Sequence, residues 1–390
     1  MPTDDGPHAA ADPNGTGEHG SLDALRDRLD AVDASLLDLI AERLRLSAEV
    51  ARRKAASGSA LFRREREEDV IAARRASGRS CGIDPELCED VFRRLILESH
   101  KWQSAIIRES SGVDRKKVAI IGGEGAMGSF LARFLGEQGH DVVVADVDTD
   151  VTPERAAGAA DAVIVSVPIR ATEEVIRRVG PLVREGGLLM DVTSLKQAPV
   201  RAMLESSRCE VIGAHPMFAP SVGSVHRQVV ALCPARGERW LEWVRGVLLS
   251  QGAEIIVCTP EQHDRAMSVI QVLRHAATIA FGRALHQLGV DIEDSLRYSS
   301  PIYRLELIMT GRLFGQDPEL YADLGLGNPH RRRAVDALEA AVEGIAEIVR
   351  TGDRDGFIAE FEKVASYFDG FSERAMAESG ALIQRMVERM

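Results

Sequence analysis

The stretch GAHPMFAP, residues 213–220, sets one histidine, His215, after a short apolar run and between small residues and prolines. Imidazole is the side chain best suited to exchanging a proton near neutral pH. A lone histidine is equally at home in a core with a carbonyl for a partner, so its surroundings must decide. Upstream, IIGGEGAMG contains G-x-G-x-x-G as Gly123, Gly125 and Gly128, and DVVVAD follows, ending at Asp146. The glycines come after a strand-like run and open an amphipathic helix, which is the setting of a dinucleotide loop. Gly123 then makes the tight turn, Gly125 lets a pyrophosphate approach the backbone, and Gly128 lets helix pack on strand. The helix N-terminus faces the phosphates. Met127 in the loop, with Ser166 and Pro168 closing a later run, completes the cofactor-binding set. Asp146 can accept from a ribose 2′-hydroxyl and repels a 2′-phosphate, so NAD is expected rather than NADP. A glycine-rich turn without a ligand is the competing reading.

The elements that must position these groups follow from periodicity. Over residues 21–110 the pattern is helical. Leu22, Leu25, Leu29, Val32, Leu36, Ile40, Leu46 and Val50 recur mostly three and four apart, with no Gly or Pro before Gly58. Such a helix is about 50 Å long and cannot bury its stripe within one small domain, so a partner chain is expected. A second helix starts near Arg64, and a third has Asp84 as N-cap and Pro85 at its first position. Residues 108–117 read as a polar connector. From Val118 the period changes: VAIIGG, DVVVAD, AVIVSVP, LLMDVTS, VIGAHP and VVALCP are β-rich runs, several of them separated by helical segments. That alternation predicts a doubly wound, mostly parallel sheet of the α/β Rossmann type. From Thr259 the chain returns to helix, with TPEQ offering a capping box.

In an open α/β sheet, ligands bind outside the carboxyl ends of the strands. Ser166 and Pro168, Ser194 and Lys196, and His215 all follow strand-like runs at that edge, which favours a functional histidine. Asp264, Ser268, Gln271, His275 and Thr278 step by four and three along the next helix. They form either the wall of a wet cavity or a solvated face. Arg304 and Arg312 lie in SPIYRLELIMTGRLF, and guanidinium groups clamp carboxylates. The residues thus describe an NAD dehydrogenase of an anionic substrate with a histidine base.

The chain has 390 residues, which favours two or three domains. Its formal net charge of -12 argues against nucleic-acid or anionic-membrane partners. No apolar run approaches a membrane span, and residues 1–20 lack the features of a signal peptide and read as a disordered tail. Five cysteines without metal-ligand spacing suit reduced thiols, so a soluble cytoplasmic protein without a metal is expected.

SPIYRLEL, GRLFGQDPELYAD, SVPI and HPMF, in the family's order and at family-like spacing, and ALRDRLDAVD, ERLRLSAEVARRK, RERE and LESHKWQ nearer the start, resemble the bifunctional chorismate mutase–prephenate dehydrogenases of tyrosine biosynthesis. The likeness runs from about Leu22 to the C-terminus. It implies an all-α chorismate mutase domain over 21–110, a Rossmann NAD-binding domain over 111–258 and an all-α dimerisation domain over 259–390. The implied assembly is a homodimer, and the implied substrates are chorismate and prephenate.

For the mutase, the resemblance implies that Arg43, with Arg26 reaching from the partner subunit, grips carboxylates. Lys54 and Gln103 face the breaking ether oxygen, Glu67 takes the ring hydroxyl, and Arg66 and Ser99 complete the pocket. For the dehydrogenase it implies that His215 hydrogen-bonds the C4 hydroxyl and takes its proton. Arg312 binds a substrate carboxylate, Ser194 helps orient histidine and substrate, and His275 and Arg304 line the pocket. Two departures stand out. Arg63 occupies a position where some relatives carry a carboxylate. Ala219 replaces the glycine of H-P-M-F-G-P, with Ser221 and Val222 beside it. The second departure raises an alternative substrate with an amino group at C4, 4-amino-4-deoxyprephenate. A non-catalytic aromatic sensor would not need these side chains, and a generic β-hydroxyacid dehydrogenase would leave the first ninety residues without a role.

Overall fold

The computed structural model describes residues 22–57, 64–110 and 115–388; the side chains of 54–57, 64, 101 and 104–110 lie outside that description. The expected tail over 1–20 and Arg63 therefore fall outside it. The chain divides into two compact units, one ending at residue 112 and the other beginning at 113.

The first unit is three helices: α1 (Leu22–Ser57), α2 (Arg64–Ser80) and α3 (Pro85–Ser110). Helix α1 runs unbroken for 36 residues, as its lack of Gly and Pro dictates. The backbone N–H of Glu86 donates to the Asp84 carboxylate at 2.9 Å, with Pro85 opening α3. Helix α3 packs against both others, burying Ala48, Ala51, Ile71 and Ile96. Arg75 pairs with Glu86 and Glu89, tying α2 to α3. Much of the α1 stripe stays uncovered: Leu22, Leu29 and Val32 are each more than 60% exposed, and Leu36 is 54% exposed. Isolated exposed leucines are ordinary, but a continuous apolar row is not.

The second unit is built on one seven-stranded sheet in the order β2-β1-β3-β4-β5-β6-β7. In chain order its elements are β1 (Lys117–Ile121), α4 (Ala126–Glu137), β2 (Asp141–Ala145), α5 (Pro153–Ala159), β3 (Ala162–Val165), α6 (Ile169–Val179), β4 (Leu188–Asp191), α7 (Gln197–Ser206), β5 (Glu210–Pro216), β6 (Val229–Arg236), α8 (Arg239–Leu249) and β7 (Glu254–Val257). All neighbours run parallel except β5 and β6. Strands β3 and β4 are buried at every position, as expected of strands covered on both faces. Strand β7 was not among the expected runs; EIIV is short, and most of it stays exposed.

The remaining helices are α9 (Pro260–Met267), α10 (Arg274–Gln287), α11 (Ile292–Arg297), α12 (Pro301–Phe314), α13 (Pro318–Gly327), α14 (Arg331–Thr351), α15 (Arg354–Tyr367) and α16 (Ser372–Val387). The expected capping box is formed. Thr259 Oγ1 accepts from Gln262 N at 3.1 Å, and Gln262 Oε1 accepts from Thr259 N at 2.9 Å. Between α9 and α10 the chain does not continue as a regular α-helix: Ser268–Leu273 form a π-helical turn. Among the described residues no helix is long and apolar enough to cross a membrane.

Candidate active sites

The glycine loop joins β1 to α4. Gly122, not Gly123, takes the left-handed conformation, with φ +81°. A Cβ there would strike the backbone carbonyl of Ser166, and a Cβ on Gly128 would strike that of Gly122. Gly123 packs its Cα against Val144. The tight turn expected at Gly123 thus belongs one residue earlier, and Gly128 has the close-packing role expected of it. Gly125 is the N-cap of α4 and offers no side-chain cap, so the first amides of the helix are left for an anion. At the end of β2, the Asp146 carboxylate accepts from the backbone N–H of Glu124 at 3.0 Å and of Val147 at 2.8 Å. Those contacts fix its orientation beside the loop. A turn closed by two glycines, an uncapped helix start and a fixed carboxylate fit a dinucleotide with a free 2′-hydroxyl.

His215 sits near the carboxyl end of β5, opposite Ala231 of β6, and is 5% exposed. Its flanking residues Ala214 and Pro216 line an apolar cavity of about 50 Å³ with Phe130, Phe218 and Trp243, so strand alternation sends the imidazole to the other face. There its Nδ1 lies 2.9 Å from Nε2 of His263 on α9. His263 Nδ1 lies 2.8 Å from Asp264 Oδ1. Asp264 also accepts from the backbone N–H groups of Lys196 (Oδ1, 2.8 Å) and Gln197 (Oδ2, 2.9 Å) at the start of α7. Burial, followed by repulsion from the neighbouring His263 and Lys196, holds the His215 pKa well below the usual 6.5. His215 is therefore neutral at physiological pH.

Beneath the histidine, the Lys196 ammonium is fully buried; it donates to Asp191 Oδ2 at 2.5 Å and to the Ala214 carbonyl at 2.6 Å. Thr193 Oγ1 donates to the same carboxylate oxygen at 2.7 Å. Burial pushes the Asp191 carboxyl up, against the pull of Lys196. Ser194, expected to orient the histidine, is half-buried in the same loop but makes no hydrogen bond among the described residues. The group on His215 is His263, which the sequence reading passed over. Helix α12 packs on α10 and carries Arg304, half-buried, whose Nη2 donates to the Leu296 carbonyl at 3.4 Å. It also carries Arg312, exposed, whose guanidinium has no ion pair or hydrogen bond among the described residues. His275 on α10 is half-buried edge-on to Tyr321, with ring centroids 4.7 Å apart.

In the first unit, one wall gathers several expected residues. Arg43 Nη1 donates to Ser99 Oγ at 2.8 Å and to the Leu95 carbonyl at 3.0 Å. Gln103 Nε2 donates to Ser47 Oγ at 2.6 Å, so Ser47 is a further polar member. Burial, and then the nearby Arg74, lowers the Arg43 pKa, which marks a cation short of an anionic partner. Glu67 Oε1 lies 3.1 Å from His100 Nε2. Arg66 is exposed. Arg26 is also exposed and pairs only with Asp23 one turn away, at 3.1 Å, among the described residues. The Lys54 side chain lies outside the described residues, yet its place on α1 follows Arg43, Ser47 and Ala51 at intervals of four, four and three, on one face.

Three family profiles match successive parts of the chain. They are chorismate mutase type II over 25–104, the prephenate dehydrogenase nucleotide-binding domain over 136–257 and the prephenate dehydrogenase dimerization domain over 259–363. The nucleotide-binding match begins beyond the glycine loop, so the loop is identified by its geometry. The T-protein of Enterobacter agglomerans is 38% identical over 93% of this chain and 97% of its own. That of Haemophilus influenzae is 37% identical over 94% and 97%. The crystal structure of prephenate dehydrogenase from Aquifex aeolicus in complex with hydroxyphenyl propionate and NAD+ aligns with a TM-score of 0.52. At 20% identity, over 66% of this chain and all of the other, it attests the fold.

Proposed function

The chain belongs to the T-protein family of bifunctional chorismate mutase–prephenate dehydrogenases, and from that premise we propose which of its side chains perform the two reactions. It rearranges chorismate to prephenate and oxidatively decarboxylates prephenate to 4-hydroxyphenylpyruvate with NAD. We divide the work at the boundary between the two units.

The mutase step is an intramolecular rearrangement that needs no nucleophile, only a pocket that holds a dianion in a compact chair and meets charge on the breaking ether. Arg43 and the partner's copy of the Arg26 position grip the carboxylates; Lys54 and Gln103 address the ether oxygen. Glu67 takes the ring hydroxyl, with Arg66 and Ser99 completing the wall. The exposed stripe of α1 supports a homodimer, in which Arg26 is free to reach across.

In the dehydrogenase, NAD supplies the hydride acceptor when bound. His215 accepts the proton of the C4 hydroxyl as hydride leaves that carbon, and Arg312 holds a substrate carboxylate. Ser194, His275 and Arg304 shape the pocket, and Gly123, Gly125, Met127, Gly128, Asp146, Ser166 and Pro168 hold the dinucleotide. The ketone formed at C4 is conjugated to the carbon bearing carboxylate, so aromatisation drives loss of carbon dioxide. What carries the reading is a buried, neutral histidine at the carboxyl edge of the sheet whose glycine loop accepts the cofactor. We place the enzyme in the cytoplasm. A hydroxyl rather than an amino group at C4 is favoured by the relatives that share both units. Purified protein with NAD, offered chorismate, prephenate, arogenate and the 4-amino analogue separately, tests it; oxidation of the amino substrate alone would overturn it.

Two substitutions test individual roles. Asp146→Ser removes the acceptor for the ribose hydroxyl, and a charged hydrogen bond of this kind is worth about 10- to 100-fold. KM for NAD is expected to rise by that order, with the preference over NADP reduced; wild-type protein using both cofactors equally would refute the assignment. Arg312→Gln removes a clamp already engaged in the ground state. KM for prephenate should rise about 10- to 100-fold with turnover changed less.

A further inference from the structure

We propose that His263 and Asp264 are positioning residues for His215: they fix its ring in the Nδ1–H form and share the proton it takes from the substrate. The inference rests on the reading of His215 as the base of the dehydrogenase.

It starts from Asp264. Both its carboxylate oxygens accept from backbone N–H groups that have no alternative role, those of Lys196 and Gln197 at the uncapped start of α7. The same oxygen that takes the Lys196 amide also meets His263 Nδ1 at 2.8 Å. A carboxylate whose two oxygens already accept from backbone N–H groups is an acceptor only. Therefore His263 Nδ1 bears a hydrogen and donates it. In neutral His263, Nε2 is then a bare acceptor, and the atom facing it at 2.9 Å, His215 Nδ1, must be the donor. His215 is left with an unprotonated Nε2, the form that can receive a proton. Each assignment follows from the one before, and the chain ends on backbone amides that cannot change protonation state.

The same chain describes where the proton goes. When His215 Nε2 gains the hydroxyl proton, the Nδ1 proton can pass to His263 Nε2. His215 is then neutral again, and His263 is an imidazolium paired directly with the Asp264 carboxylate. One proton has entered and none is lost, and the positive charge has moved from a ring beside the Lys196 ammonium to one beside an anion. Among the described residues His263 and Lys196 act electrostatically on His215, with Asp264 paired to the first and Asp191 to the second. His330 meets the network through Gln197, at 3.2 Å. The C-terminal helices brace the arrangement: Asn328 Nδ2 donates to the Asp264 backbone carbonyl at 2.8 Å.

The test combines kinetics with histidine-labelled ¹⁵N NMR of the unliganded full chain, using His215→Asn to assign the ring. In wild type, His215 should show the Nδ1–H form. Asp264→Asn replaces one carboxylate oxygen with an amide N–H and removes the charge that holds the His263 Nδ1–H, so His215 should lose its exclusive Nδ1–H form. Turnover should fall about 10²- to 10⁴-fold with little change in KM, while NAD binding by the variant reports an intact dehydrogenase unit. Because Asp264 also holds the start of α7, His263 supplies the second arm. His263→Gln can still accept from His215 Nδ1 and should retain the ring form and much of the turnover, whereas His263→Leu should lose both. An Nε2–H ring in wild type, or unimpaired turnover in both Asp264→Asn and His263→Leu, would overturn the proposal. Full turnover in His215→Asn would instead overturn the reading of the base itself.

Discussion

His215→Asn should cut the turnover of prephenate oxidation about 10²- to 10⁴-fold, the usual range for loss of a general base, with KM for prephenate little changed. Asparagine keeps a polar atom near the position of Nδ1, so His263 retains a partner and the strand its packing. What disappears is the proton acceptor. The pH profile gives a second readout, and its sign is fixed by the chemistry. The working form is neutral imidazole, and burial, with repulsion from His263 and Lys196, lowers its pKa below 6.5. Wild-type activity should therefore persist as pH falls through the ordinary histidine range and decline only below it. In the variant that acidic limb should be gone. NADH formation measured across pH in both proteins checks this, and a variant with wild-type turnover would remove His215 from the chemistry.

Lys54→Ala should reduce chorismate rearrangement about 10²- to 10³-fold, the effect of removing one preorganised donor from a developing negative charge. Prephenate oxidation should stay near the wild-type rate. The expectation combines the family likeness with the register of α1. Arg43 and Ser47 on the same face bond to Ser99 and Gln103 of α3, and Lys54 continues that face past the buried Ala51. Gln103 spends one amide hydrogen on Ser47 and has a second to offer, so the lysine is the stronger of the two groups assigned to the ether oxygen. Separate assays with chorismate and with prephenate decide it. A parallel loss of both activities in a folded variant would show that the two reactions are not divided between the two units.

The Rossmann sheet was legible because its central strands are buried on both faces and read as short apolar runs with abrupt ends. The caps at Asp84 and Thr259 were legible because local side-chain chemistry sets them. Strand β7 was not, since four residues that stay largely exposed carry little pattern. The left-handed turn fell to Gly122 instead of Gly123 because two adjacent glycines can both enter that region, and only the close carbonyl of Ser166 selects between them. His263 was hidden for a geometric reason. At about 100° per residue, Asp264 and His275, eleven positions apart, fall on one line of a regular helix, and His263 lies well off it. The π turn at Ser268–Leu273 holds more residues per turn than an α-helix and breaks that count. His263 and Asp264 are in fact both buried. No reading at a fixed period finds that pair; a buried, uncapped α7 start needing an anion would have pointed to it.

That π turn also constrains how the gene can vary in length. An α-helix with one surplus residue can lose one and return to regular hydrogen bonding, so a single-codon deletion within Ser268–Leu273 is the shortening this segment would absorb most readily as a helix. Five α-helical residues at about 100° each turn nearly as far as six residues of the wider coil, so the helix beyond the deletion would keep close to its present facing and His275 its place on Tyr321. Length in this segment is therefore exchanged within the turn itself, between the buried Asp264 and His275.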